Sequence, residues 1–425
     1  MSAFSTNQEY QEYQEIQWYD ILALPQIKQG DQAWLNARMN KQSSSDFAAV
    51  VPCTEKYIGH IIKMWNYEEM DNDGKIRKPF AYNEAKTCYD YSYDEYIRKK
   101  AIVIEPKEQN KDDDDDDSKG GSFGGSATAI GHRYENIIRN LTAQHLQRTI
   151  DEVGWVEGLR TSNAGVSPDG IVHIDDKLSN RGQHFYFFDG HENDNKADIQ
   201  FQVSGAKNFE AKTIVSREML RKVPIKYHIQ VERTAYELHL KSSIYTEARF
   251  LELCEIDWLI ETKSLKDTVL PITTLFTYGI LLHCTALKSV SNRDGERKAG
   301  ETWHVWPSMF IRDIKQFLLW RDTMTAYIKS QTQQSVRVVP VYFKVEALWC
   351  CEIPLWEKYH EVYGPLIHQE AEKLHYLTRT EKGQQEYKEK YCNPDPTMKK
   401  RAPPKARRVR QTLFLEDMSL QICEA

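Results

Sequence analysis

Three short polar segments in a fixed order constrain this chain more than anything else in it: Gly131-His-Arg-Tyr-Glu135, Ser167-Pro-Asp169-Gly170 and Glu210-Ala-Lys212. The first belongs on a helix. Tyr134, Ile137, Ile138 and Leu141 recur at i, i+3, i+4 and i+7, the stripe of an amphipathic helix, and Glu135 lies on its flank. The second is a proline turn leading into a short strand, Ile171-Val-His-Ile174. The third sits in a strand over 208–213. A side-chain period of two sends Glu210 and Lys212 to one face and Ala211 to the core. Tyr227 to Leu240 reads as a helix with Tyr227, Val231, Ala235 and Leu238 inward, and it carries Gln230.

Taken singly, each segment is commonplace. A Glu-x-Lys pair is usually a solvated strand face, Ser-Pro-Asp-Gly a plain turn, and a helical glutamate a surface residue. Their order and joint presence point elsewhere. Hydrolysing a phosphodiester needs an activated water and something to offset growing negative charge, and divalent cations supply both. Magnesium takes oxygen ligands and keeps several waters, so two or three carboxylates suffice. In this reading Asp169 holds the central cation, Glu210 and Glu135 complete its shell, and the Ala211 carbonyl adds a ligand. Lys212 orients or helps to deprotonate the attacking water, or offsets charge on the leaving phosphate.

A net charge of -6 over 425 residues argues at first against a nucleic-acid partner. Asp112 to Asp117 contribute six of those negative charges, so the rest of the chain balances to zero, and phosphate binding needs local basic surface only. There is no apolar run of about eighteen residues, so no membrane span is expected. No secretory leader is visible in Met1-Ser-Ala-Phe-Ser-Thr, and the protein is expected to be intracellular and not secreted. The eight cysteines form no Cys-x-x-Cys pair, which favours reduced thiols over zinc or iron–sulfur ligation.

The organisation along the chain follows. Residues 1–25 form a polar arm rich in Gln, Glu and Tyr, with one frayed helix. Asp31 caps a helix through Trp34, Leu35 and Arg38, and Ser43-Ser-Ser45 reads as a second cap. Two helical stripes follow, Tyr57-Ile61-Ile62-Trp65 and Tyr93-Tyr96-Ile97. Residues 107–126, with the aspartate run and Gly120-Gly-Ser-Phe-Gly-Gly-Ser126, read as a solvated loop, the alternative being a DNA mimic or metal sponge. Strands are expected at 184–188 and 199–203 about a loop at 189–195, and again at 250–260, 275–284 and 336–350. A helix is expected over 311–328, with Ile314, Phe317, Leu318 and Tyr327 on one side, and another over 356–377, interrupted near Gly364-Pro365. The expected units are a core over 26–265, an α+β part of the same globule over 266–392, and a basic, Pro-rich tail over 393–425. Lys399 to Arg410 in that tail is a nuclear import signal, a DNA-gripping arm or simply solvated chain.

On these motifs the chain resembles the lambda-type exonucleases, also called YqaJ-like viral recombinases or alkaline nucleases, of the PD-(D/E)XK fold. The likeness is clearest at Ala127-Thr-Ala-Ile-Gly-His-Arg-Tyr-Glu-Asn136, Ser167-Pro-Asp-Gly170, Phe209-Glu-Ala-Lys212 and Tyr227-His-Ile-Gln-Val231, and extends upstream to Gln29-Gly-Asp-Gln-Ala-Trp-Leu-Asn-Ala-Arg38. It implies an α/β (α+β) fold: a restriction-endonuclease-like core with a mixed central sheet flanked by helices, enlarged by insertions and a C-terminal α+β extension. It also implies a 5′-to-3′ exonuclease acting on double-stranded DNA ends, with two magnesium ions for which manganese can substitute. Glu135, Asp169, Glu210, Lys212 and Gln230 match the catalytic set, while Arg38 and Ser45, assisted by Ser43, match residues that hold a 5′ phosphate. A guanidinium fork suits that phosphate.

The resemblance further implies a role in viral recombination, replication or repair, in the host nucleus or a cytoplasmic replication site. It suggests a homotrimer and a single-strand annealing partner. Against the family pattern, residues 176–207 look inserted between Asp169 and Glu210, Ser44 replaces an alanine, and Glu232 replaces a second glutamine. An endonuclease on the same fold and a non-catalytic DNA-binding scaffold remain the alternatives.

Overall fold

The computed structural model describes residues 18–29, 32–47, 96–97, 100, 127–146, 148–174, 183–185, 197–199, 205–215, 219, 223–263, 278–292, 295–307 and 313–392. Along the chain these give α1 (Trp18–Ala23), α2 (Gln32–Arg38), β1 (Gln42–Ser43), a 3-10 turn (Ser44–Asp46), α3 (Ala127–Leu146), β2 (Ile150–Asp151), β3 (Val156–Glu157), β4 (Ala164–Val166) and β5 (Gly170–Ile174). A small hairpin of β6 (Gln183–Phe185) and β7 (Ala197–Ile199) precedes β8 (Gly205–Thr213), α4 (Ile225–Glu237), β9 (Ser242–Leu253) and α5 (Glu255–Glu261). Then come β10 (Tyr278–Ala286), β11 (Val290–Asn292), β12 (Gly295–Arg297), β13 (Thr302–Val305), α6 (Ile314–Gln331), β14 (Val336–Pro354), α7 (Tyr359–Arg379) and α8 (Glu381–Tyr387).

The fold is mixed α/β. A seven-stranded sheet in the order β13-β10-β14-β9-β8-β5-β2 is flanked by helices on both faces. All neighbours are antiparallel except β8 and β9, which run parallel because α4 crosses between them. One face is closed by the apolar stripe of α3. Tyr134, Ile137, Ile138 and Leu141 pack with Phe209, Ala211 and Ile244 of the sheet, and Tyr134 stacks on Phe250 at 4.1 Å. On the other face, α4 buries Val231 against Tyr245 and Trp349, and Ile225, Ile229 and Tyr236 against α7. Each fully buried Ile, Val or Leu contributes about 1.5–3 kcal/mol.

Several expectations are revised here. Residues 18–23 are not part of a loose arm: α1 docks through Ile21, fully buried among Val153, Val166 and Ile171. The strand expected at 250–260 ends at Leu253. Cys254 then caps α5, its Sγ accepting from the Asp257 N–H at 3.3 Å, because in this stretch only Trp258 turns inward. In α6 Ile314 and Phe317 are buried as expected, but near the C-terminal end it is Ile328 that is buried, with Tyr327 half exposed. Pro365 does not interrupt α7. A proline there removes one helical hydrogen bond, but Tyr359, Tyr363, Ile367, Ala371, Leu374 and Leu377 all bury on one stripe, which more than offsets it. The insertion between Asp169 and Glu210 is also shorter than 176–207, since residues 205–207 belong to β8 and pair with β5.

The stripe Tyr57-Ile61-Ile62-Trp65, the aspartate run, the loop 189–195 and the basic tail lie outside the described residues, as does Tyr93. Tyr96 and Ile97 are helical and buried beside Phe47 and α7. Of the strands expected at 184–188 and 199–203, residues 184–185 and 199 are described, in β6 and β7. Among the described residues no helix is long and apolar enough to cross a membrane.

Candidate active site

The register of β5 against β8 builds the centre of the site. Gly170 pairs with Phe209 and Ile174 with Gly205, so one step further the antiparallel count sets Asp169 beside Glu210. The 41 positions that separate them in sequence are therefore a detour from which the chain returns to the same edge. Asp169 is fixed from two sides. Its Oδ2 accepts the Ala211 N–H at 2.8 Å, and its carbonyl accepts from Arg139 Nη1 of α3 at 2.9 Å. Gly170 must follow it, because a Cβ there would stand 2.6 Å from Ile150 Cγ2 and 3.0 Å from the Asp151 carbonyl oxygen.

Strand alternation sends Glu210 and Lys212 toward α4, with Ala211 buried on the opposite, α3 side. Glu210 Oε1 accepts from Gln230 Nε2 of α4 at 2.5 Å and makes a short ion pair with Lys212 Nζ. Glu210 Oε2 is buried and has no hydrogen-bond partner among the described residues. Glu135 approaches from α3, where His132 Nδ1 lies 3.6 Å from its Oε2. Three carboxylates thus face one ammonium. Burial, and after it the charges of Glu210 and Glu135, holds the Asp169 carboxyl well above its usual range. Burial likewise pushes Glu210 up, against the pull of Lys212. For Lys212, burial alone would lower the pKa, but the Glu210 and Asp169 charges outweigh it and hold it above the ordinary lysine value. Lys212 is therefore a charged ammonium in this arrangement.

The opposite wall comes from α2 and the serine turn. The Arg38 guanidinium lies over the Trp34 ring at 4.3 Å and donates from Nη2 to Ser45 Oγ at 3.0 Å. Ser43 Oγ is 3.1 Å from Ser45 Oγ. The serines open the 3-10 turn as expected, but Ser43 makes no side-chain capping bond; its hydroxyl goes to Asp46 instead. Trp34 Nε1 donates to Ser167 Oγ at 3.2 Å, tying α2 to the turn that carries Asp169. Beneath them Trp155 lies flat on β4, where a Cβ on Gly165 would come 2.2 Å from its ring.

All nine residues expected at the site, Arg38, Ser43, Ser45, Glu135, Asp169, Glu210, Ala211, Lys212 and Gln230, line one cleft of about 640 Å³. The sequence reading did not assign Gln29, His132, Trp155, Ser167 and Lys226 to it, and it placed Tyr227 in the core although this ring also lines the cleft.

Whether the cleft suits a cation can be judged from its donors. Among the described residues no group of three or more His, Cys, Asp and Glu is placed to hold a metal ion by itself. Hydrated magnesium does not need one, since one or two carboxylates with water suffice. The paired Asp169 and Glu210, with surplus negative charge and one unsatisfied buried carboxylate oxygen, fit such an ion.

No protein-family model matches the chain, and no curated protein matches it. Among solved structures it is similar to an alkaline exonuclease (LHK-Exo) from Laribacter hongkongensis, at 13% identity and a TM-score of 0.26, over 52% of this chain and 74% of that one. It is also similar to LHK-Exo in complex with dAMP, at 12% identity and a TM-score of 0.26, over 72% of this chain and 99% of that one.

Proposed function

We propose that this chain is a deoxyribonuclease, a 5′-to-3′ exonuclease that hydrolyses phosphodiesters at double-stranded DNA ends. The observation that carries the reading is the pairing, across one cleft, of a surplus-carboxylate centre with an arginine whose guanidinium fork faces open space beside serine hydroxyls. The first suits a cation and a scissile phosphate; the second suits a terminal phosphate.

In this proposal Asp169, Glu210 and the Ala211 carbonyl would hold magnesium, or manganese in its place, with Glu135 available to a second ion. Such cations, when bound, activate water and offset the charge of the phosphorane-like transition state. Gln230 holds Glu210 Oε1, which leaves Oε2 without a partner among the described residues. Lys212, already protonated, orients the water or neutralises the leaving phosphate, a better match to its charge than acting as a base. Arg38 and Ser45, with Ser43 behind, receive the 5′ phosphate and set the register of the strand relative to the carboxylates. We further propose that the protein works inside cells in viral recombination, replication or repair, as a homotrimer beside a single-strand annealing protein.

The decisive assay uses purified protein and linear duplex with separately labelled 5′ and 3′ ends, with and without magnesium. Mononucleotide release from the 5′-labelled end only, and only with the metal, is expected. Loss of the 3′ label first would reject the polarity. Digestion of covalently closed circles would move the reading to an endonuclease.

A further inference from the structure

The arginine that faces the cleft has an acidic neighbour that should occupy it. Asp46 closes the 3-10 turn, and its charge acts on Arg38. Yet the two side chains make no ion pair among the described residues. Arg38 has given one amino group to Ser45 Oγ and its flat face to Trp34. Asp46 turns the other way. Its Oδ2 is 2.8 Å from Lys100 Nζ and accepts a short hydrogen bond from Ser43 Oγ. Lys100 also donates to the Arg38 carbonyl oxygen at 3.3 Å. It thus grips both ends of the segment Arg38–Asp46: the backbone at the arginine and the carboxylate at the aspartate. The Lys100 side chain is 11% exposed and that of Asp46 29%, so solvent screens this pair only in part.

A carboxylate and a phosphate compete for the same guanidinium fork. If Asp46 were left without a counter-charge, it would be the nearer competitor. We propose that Lys100 is a positioning residue for the anion pocket: it neutralises Asp46 and pins it away, so that Arg38 stays open to a terminal phosphate. This rests on the reading of Arg38 and Ser45 as a phosphate site. Lys100 touches no substrate; it acts through Asp46.

The test measures equilibrium binding of 5′-phosphorylated and 5′-hydroxyl duplexes to the full chain, in chelator so that nothing is cut. The wild-type protein prefers the phosphorylated duplex. Lys100→Met lowers that ratio about tenfold, the scale of one charge-assisted contact. Adding Asp46→Asn to Lys100→Met restores the ratio, and Lys100→Arg keeps it. With metal present, Lys100→Met raises KM for phosphorylated ends by a larger factor than it lowers kcat. A residue that only supports the fold would weaken both duplexes equally, and Asp46→Asn would restore nothing; that result overturns the proposal. So does an unchanged ratio in Lys100→Met beside a clear wild-type preference, which leaves the phosphate site standing. A wild-type protein with no preference defeats the phosphate site itself, and this inference with it.

Discussion

β8 carries a fully buried lysine toward one end and a partly exposed one, Lys212, toward the other, and their surroundings differ in one respect. Lys207 is fully buried and donates to Ser242 Oγ at 2.6 Å and to Glu352 Oε1 at 2.5 Å, while Ser242 gives the same oxygen a bond of 2.7 Å. Cation and anion balance, and Glu352 is 3% exposed on its side chain. Lys212 faces Glu210 and Asp169, Glu135 adds its charge to both carboxyls, and among the described residues one Glu210 oxygen has no partner. The first cluster is a closed ion pair that joins β8, β9 and β14. The second opens on a cleft with charge left over. Burial of charge alone does not mark a functional site; unbalanced buried charge does, because it costs stability that only a function or a ligand offsets.

The largest expected effects break this contrast from either end. Asp169→Asn or Lys212→Ala should lower cleavage by at least about 10³-fold, the range seen when a charge-stabilising group is removed. The sign for stability is opposite to that of an ordinary ion pair. The Asp169 carboxyl is raised above its unfolded value, so its charged form weakens the fold at neutral pH. Asp169→Asn in chelator should therefore keep or raise Tm. Lys207→Met should do the reverse, losing about 3–5 kcal/mol in denaturant titration because Glu352 loses the buried cation that balances its charge. Cleavage per folded molecule should hold, and Lys207→Met with Glu352→Met should recover most of the loss. A Lys207 variant of normal stability and impaired cleavage would erase the distinction.

Much of the carboxylate centre was legible in the sequence because its parts are short-range. Strand alternation places Glu210 and Lys212 on one face, a proline turn precedes Asp169, and a helical period flanks Glu135. The closed pair was not legible. Lys207 and Glu352 stand 145 positions apart, and their meeting depends on β14 inserting between β10 and β9, which no local pattern encodes. The same holds for the insertion boundary, fixed by the pairing of Gly205 with Ile174, and for Trp155, whose place depends on the glycine under its ring. Local rules failed where tertiary burial overrode them: Pro365 was read as a break, yet α7 runs through it to bury a continuous stripe.

A sharper test of the surplus charge uses the cation directly. Magnesium should raise the stability of the wild-type chain by about 2.7 kcal/mol at a hundredfold excess over its Kd, and chelator should reverse it. Asp169→Asn should abolish the response, whereas Lys207→Met should keep it. A rise of equal size in all three would place the ion elsewhere. Smaller still is the effect of Arg38→Ala, about a tenfold loss in kcat/KM on 5′-phosphorylated ends and little on 5′-hydroxyl ends. Equal losses on both would remove the arginine from end recognition.

The smallest effect lies far from the cleft, in a third arrangement: a half-buried pair of histidines. His283 of β10 and His304 of β13 face each other, Nδ1 to Nε2 at 3.0 Å. Burial, then the charge of Arg133, lowers His283, and burial, then His283 and Arg133, lowers His304 to about 3. One ring donates and the other accepts, which requires the accepting ring to be neutral. Their folded pKa values lie below the unfolded value, so the unfolded chain binds more protons below about pH 6.5 and stability falls as the pH drops through that point. Both rings are partly open to solvent, which keeps the slope well under the roughly 1.4 kcal/mol per pH unit of one fully shifted histidine. His304→Leu should flatten this acid limb without touching magnesium-dependent stabilisation. An acid limb that instead disappears with Asp169→Asn would show that the carboxylate centre, and not this pair, sets the acid sensitivity of the fold.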